Sequence, residues 1–60
     1  MFNVGDRVSL IHDPEQRGVI RNVVKAGAEV ICTLQLDSGV TRMYESAELM
    51  PEVIERNPWE

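Results

Sequence analysis

One stretch constrains this chain more than any other: Ala28–Leu36 alternates, with Val30, Cys32, Leu34 and Leu36 on one side and Glu29, Ile31, Thr33 and Gln35 on the other. A period of two residues sends successive side chains to opposite faces of a pleated strand, and a helix cannot gather it into one stripe. Asp37-Ser38-Gly39 follows at once, a strong tight-turn signal, and Val40–Tyr44 resumes the alternation. In that second run Val40, Arg42 and Tyr44 share one face, while Thr41 and Met43 share the other. Strand, turn and strand make a β-hairpin, and the rest of the chain must cover its apolar face.

Glycine and proline punctuate that remainder evenly. Gly5-Asp6 leads into Asp6–Ile11, where Val8 and Leu10 share a face. His12–Gln16 reads as a polar turn, with Asp13 placed to close an Asx turn ahead of Pro14. Gly18–Lys25 is a β-branched run whose apolar residues come in adjacent pairs, Val19-Ile20 and Val23-Val24. Strict alternation fails there, and a bulge or sharp bend within the strand would account for it. Ala26-Gly27 suits a hairpin turn. Ser46–Leu49 is too short for an α-helix and predicts a single 3₁₀ turn with Ser46 as its N-cap. Met50–Ile54 predicts a short closing strand, which Pro51 confines to an edge.

Sixty residues supply one core at most. The apolar side chains are mostly branched, with eight Val, four Ile and four Leu against one each of Phe, Tyr and Trp. Stiff branched side chains favour a pleated surface. Two stacked sheets would bury too few residues each, whereas one bent sheet closed on itself removes most exposed edges. The expectation is therefore an all-β domain, a small five-stranded SH3-like barrel spanning residues 1–54 with one 3₁₀ turn before the last strand. Residues 55–60 are expected to form a C-terminal tail.

Composition narrows the chemistry. Cys32 is the only cysteine and His12 the only histidine, so neither an internal disulfide nor a cysteine-based zinc site can be assembled. Cys32 belongs to the apolar face of the best strand and reads as a small core residue. His12 lies beside Asp13 in a turn, where both face water. No apolar run approaches the roughly 18 residues of a membrane span, and the start of the sequence lacks the pattern of a signal peptide. The expected compartment is cytoplasmic, with no membrane partner.

The net charge of −4 is unevenly placed. Residues 1–42 balance Arg7, Arg17, Arg21, Lys25 and Arg42 against Asp6, Asp13, Glu15, Glu29 and Asp37. The whole surplus falls in residues 43–60, where Glu45, Glu48, Glu52, Glu55 and Glu60 face only Arg56. Phosphate backbones are bound chiefly by cationic side chains that release counterions, so this balance argues against nucleic acid as the main partner. The acidic run reads as a solvated edge that blunts strand pairing.

Gly5-Asp6-Arg7-Val8, Gly18-Val19-Ile20 with Val23, Leu34–Gly39, Tyr44 and Leu49-Met50-Pro51 together resemble the SH3-like barrels of the KOW and Tudor-like type. Within that type, the pattern resembles the small N-terminal barrel of bacterial RNA-polymerase-associated Swi/Snf-type translocases and related helicases. The resemblance spans about residues 3–52 and implies contacts with proteins of the transcription machinery, or with nucleic acid alongside them. The chain departs from that group in its acidic last third, and it is expected to stand alone without an ATPase domain. More distantly, the frame is similar to the short plasmid-type dihydrofolate reductases, in which a Val-Gln-Ile-Tyr motif holds nicotinamide and folate. Thr41-Arg42-Met43-Tyr44 keeps only the tyrosine of that motif, and Ser9 and Leu10 replace the cationic residues that follow Gly-Asp-Arg-Val in the reductases.

These residues predict a non-enzymatic module without a cofactor, engaging a protein partner, with nucleic-acid binding through an arginine-bearing face as the alternative. Reductase activity is the remote one. Arg17, Arg21, Arg42, Tyr44 and Trp59 are the candidate partner-binding residues. The arginines are suited to phosphate or carboxylate, and the two rings to a groove. Trp59 lies beyond the last expected strand, and with Phe2 it leaves room for a homo-oligomer.

Overall fold

The computed structural model describes residues 2–52. Its elements run β1 (Arg7–Leu10), β2 (Arg17–Ala26), β3 (Glu29–Leu36), β4 (Thr41–Glu45), η1 (Ser46–Glu48, a 3₁₀ turn) and β5 (Leu49–Pro51). All five strands are antiparallel within one sheet, in the order β4-β3-β2-β1-β5. The all-β expectation, the count of five strands and the 3₁₀ turn before the last strand are all present.

Each connection follows from its own residues. Asn3–Asp6 closes with the Asp6 amide donating to the Asn3 carbonyl at 3.1 Å, and Gly5 takes the φ of 96° that the third position of a type II turn demands. Between β1 and β2 the Gln16 amide donates to the Asp13 carbonyl at 2.9 Å, with Pro14 pre-setting the turn. Gly27-Ala28 is a two-residue loop whose first position has a φ of 63°, the signature of a type II′ hairpin. At Asp37-Ser38-Gly39 the Gly39 amide donates to the Leu36 carbonyl and the Leu36 amide to the Val40 carbonyl, both at 2.8 Å. Gly39, at a φ of 96°, completes a three-residue hairpin.

The paired valines and isoleucine of β2 find their explanation in the register. Ile20 pairs with Leu34 and Asn22 with Thr33, so Arg21 is the extra residue of a β-bulge. The bulge shifts the alternation by one, which turns both Ile20 and Val23 toward the core although they lie three residues apart. Val19 and Val24 accordingly fall on the outer face.

The inner face collects Val8, Ile20, Cys32, Leu34, Leu36 and Leu49, all buried, with Phe2, Leu10, Val23, Val30 and Tyr44 packed around them. Three of the four residues expected to line the interior from β3 are thus buried, and Val30 is half-buried. Gly18 lies between Val8 and Leu36 in the ladder, and a Cβ there would stand 2.1 Å from the Gln35 carbonyl oxygen. Only glycine fits that approach.

The sheet is strongly coiled. Leu49 pairs with Leu10, whose amide bonds to the Gln16 carbonyl before the start of β2; Glu45 pairs with Ile31 opposite Val24, near the end of β2. In a flat sheet, four strand spacings and this stagger would hold Glu45 and Leu49 roughly 30 Å apart. The 3₁₀ turn that joins them covers only about 8 Å. The sheet must therefore curl until its two outer strands meet at one end, where the Ile11 amide bonds to the Glu48 carbonyl at 2.9 Å and η1 lies close to β3. No ladder joins β4 to β5, so the sheet is open along the rest of their length.

Two local expectations are corrected. The residue that caps the 3₁₀ turn is Glu45, with Ser46 the first residue inside it, and the Glu45 amide donates to Glu48 Oε2 at 3.0 Å. A carboxylate reaching back from the third position satisfies an orphan donor as a serine cap would. The last strand begins at Leu49 rather than Met50, because Leu49 opposite Leu10 buries its side chain in the core. Ile54, the expected end of that strand, and the tail expected at residues 55–60 lie outside the described residues.

Candidate functional site

The outer face of the sheet divides into two regions of different chemistry. Around β1, β5 and the start of β2 it is ionic. Arg7 donates from both terminal nitrogens to the two carboxylate oxygens of Asp37, at 3.0 and 2.9 Å, and from Nε to Glu52 Oε2 at 2.6 Å. Arg17 approaches the other oxygen of Glu52 at 3.6 Å, an ion pair too long to be a hydrogen bond. The fork of Arg7 matches the planar carboxylate of Asp37, and pairing of this kind adds direction to charge. It raises the pKa of Arg7, chiefly through the hydrogen bonds to Asp37 and then Glu52, and it holds the Asp37 carboxyl below the usual aspartate value.

The ladder positions these groups. Arg7 pairs with Val19, and the Asp37 amide donates to the Arg17 carbonyl at 2.9 Å, bringing the β3–β4 turn alongside β2. The Glu52 amide bonds to the Arg7 carbonyl at 3.1 Å, which fixes the carboxylate between the two guanidinium groups. Glu52 was expected among solvated carboxylates, yet its side chain is only 13% exposed. The partners lie 45 residues apart, and no local pattern connects them. Beside the network, a cleft of about 160 Å³ is lined by Ser9, Pro14, Arg17, Met50 and Glu52. Ser9 is buried there, even though it faces away from the core.

Across β2, β3 and β4 the outer face is open and mixed, with Val24, Ile31 and Met43 set among Asn22, Thr33, Gln35, Thr41 and Glu45. Val24 is opposite Ile31 and Thr33 opposite Met43, which puts Met43 diagonal to Ile31. Val24 is 49% exposed and Met43 is 71% exposed. On the other face of β4, Arg42 lies opposite Leu34 and Tyr44 opposite Cys32. Tyr44 packs against the core and Arg42 is exposed at its margin. Burial raises the Cys32 thiol pKa, which disfavours the reactive thiolate.

The candidate residues are thus not one patch. Arg17 belongs to the ion-pair network, Arg21 is the bulge residue of β2, and Arg42 and Tyr44 share β4. By strand spacing and rise, Arg42 and Arg17 are roughly 14 Å apart. Trp59 lies outside the described residues. Sequence reasoning missed Met43, whose exposure follows from its outward position on an outer strand. It also missed Glu52, whose role needed the tertiary fold. Among the described residues no group of three metal-ligating side chains comes together, and no helix is long and apolar enough to cross a membrane. Compared with family models, curated proteins and solved structures, the chain matches none of them.

Proposed function

We propose that this chain is a non-enzymatic binding module of the SH3-like barrel type, which engages a protein partner along β4. The single observation that carries this reading is that β4, an outer strand, pairs with β3 alone among the described residues and presents Arg42, Met43 and Tyr44 beside its unpaired edge. Unpaired backbone groups on a strand are a template for another extended segment. Exposed apolar and cationic side chains beside them add selectivity. The barrel reading draws on the large stagger between the two ends of the sheet, since closed sheets need a fixed shear. The resemblance of Gly5–Val8 and Leu34–Gly39 to the KOW and Tudor-like barrels points to a partner from the transcription or DNA-processing machinery.

The nucleic-acid reading is weakened by the ion pairs. Arg7 and Arg17, two of the five cations in residues 2–52, are engaged by Asp37 and Glu52 and are poorly placed to neutralise phosphates. The test is to capture a protein on the immobilised full chain, purify it, and measure its affinity for the wild type and for Arg42→Glu. At least about a tenfold loss in the variant is expected. Equal affinity for both proteins would remove β4 as the site. Tight binding to DNA or RNA with a steep salt dependence would favour the nucleic-acid reading. Turnover of dihydrofolate with reduced nicotinamide would overturn the non-enzymatic one.

A further inference from the structure

We infer that β4 pairs with β4 of a second copy of this chain, antiparallel and about a two-fold axis through Met43. This rests on the reading of β4 as the recognition strand. Self-pairing covers that strand in the free protein, and any other partner competes with it.

The two ends of the sheet are protected unequally. β5 is three residues long and carries Pro51, which has no amide to offer. β4 is five residues long, has neither proline nor lysine, and its register with β3 runs without a bulge from Thr41 to Glu45. Such an edge invites another strand.

The pleat restricts the ways in which two identical edges can meet. An antiparallel two-fold pair keeps each face of the sheet continuous, so the axis must pass through a residue and not between two. An axis at Arg42 opposes two guanidinium groups, which is unfavourable. An axis at Tyr44 sets Arg42 against Ser46, where the 3₁₀ turn has already left the strand. An axis at Met43 places Arg42 against the ring of Tyr44 from the other copy, and Thr41 against Glu45, with no like charges opposed. The guanidinium–ring pairing is favourable.

The outer face gains most from that register. Met43, 71% exposed in the single chain, meets its own counterpart across the axis. Ile31, diagonal to Met43 on β3, flanks that contact in each copy. One five-residue strand pair falls short of the roughly 1,200–2,000 Å² typical of stable complexes, so the dimer is concentration-dependent.

Sedimentation equilibrium of the full chain over a range of concentrations tests the inference, with amide exchange read at both extremes. A monomer–dimer equilibrium is expected, with protection at Thr41–Glu45 that grows with concentration. Met43→Lys, which sets two ammonium groups across the axis, should weaken dimerisation at least about tenfold. Its site is exposed, and an unchanged thermal transition would show that the variant folds. Val24→Lys, on the same face but two strands from the axis, should leave the dimer within about twofold. A folded wild type that stays monomeric to about 1 mM overturns the inference, and so does a dimer indifferent to Met43→Lys. A monomer that still binds a purified partner through Arg42 overturns self-pairing alone; loss of both removes β4 as a recognition strand altogether.

Discussion

β5 and β4 bound the same sheet, yet they are finished in opposite ways. The β5 side is short, stopped by a proline and tied down by Glu52, which joins Arg7 and Arg17 across three segments of chain. The β4 side is longer, offers Met43 and Arg42 to solvent, and shows no hydrogen bond between side chains among the described residues. An edge that is capped and ionically pinned needs nothing further, whereas one left regular and partly apolar asks for a partner. The proposal of β4 as the binding strand rests on this contrast rather than on the number of arginines.

The most damaging change would remove the frame on which both edges depend. Leu34 is fully buried between Ile20 and the Arg42 row of β4. Leu34→Asp puts an unpaired charge there, and the domain should be unfolded by circular dichroism at room temperature. A folded, soluble variant would show that the inner face is misassigned.

Next in size comes Gly18→Ala, which acts at β2, the middle strand between the two edges. The added methyl meets backbone rather than a flexible side chain, so the β1–β2–β3 ladder must shift. A loss of about 2–4 kcal/mol is expected in urea unfolding, a large part of what so small a domain has. A loss below about 0.5 kcal/mol would mean that the three strands are not so close.

Glu52→Gln keeps the shape of the side chain and removes its charge. Its effect should be at most about 1 kcal/mol and should shrink with added salt, because exposed guanidinium partners are screened. The variant should leave the affinity of β4 for its partner unchanged. If it weakens that affinity, the two edges are coupled and the comparison fails.

The smallest expected effect is a pH dependence. Asp37 has a folded pKa below its ordinary 3.8, through its hydrogen bonds from Arg7. A carboxyl with a lowered folded pKa binds fewer protons in the native state. Its stabilisation is complete above the unfolded value and is lost as pH falls through the folded one. Thermal melts of wild type and Asp37→Asn should converge in acid below that window and separate above it, with the wild type more stable. Curves that stay parallel would remove the Arg7–Asp37 pair from the acid response.

Much of the fold was legible because its signals are local. The alternation of β3, the glycines at 5, 27 and 39, and the doubled apolar pairs of β2 each report a backbone geometry that a few neighbouring residues impose. The candidate site was legible only in part. Arg42 and Tyr44 could be assigned to a strand, but nothing in their neighbours says whether that strand is central or outer. That difference separates a covered ladder from an open one. Arg17 looked free for a partner because its counter-ion is 35 positions away in the sequence.

The order of residues by itself determined where the chain extends, where it turns and which face of β3 is apolar, because steric limits on φ and ψ and the two-residue period act within a few bonds. The tertiary structure alone decided that β4 is an outer strand, that Glu52 lies between Arg7 and Arg17, that Ser9 is buried on the outer face, and that Gly18 touches the Gln35 carbonyl. Each of these depends on segments far apart in the chain being brought side by side by burial of a shared core, and that pairing has no signature in any one segment.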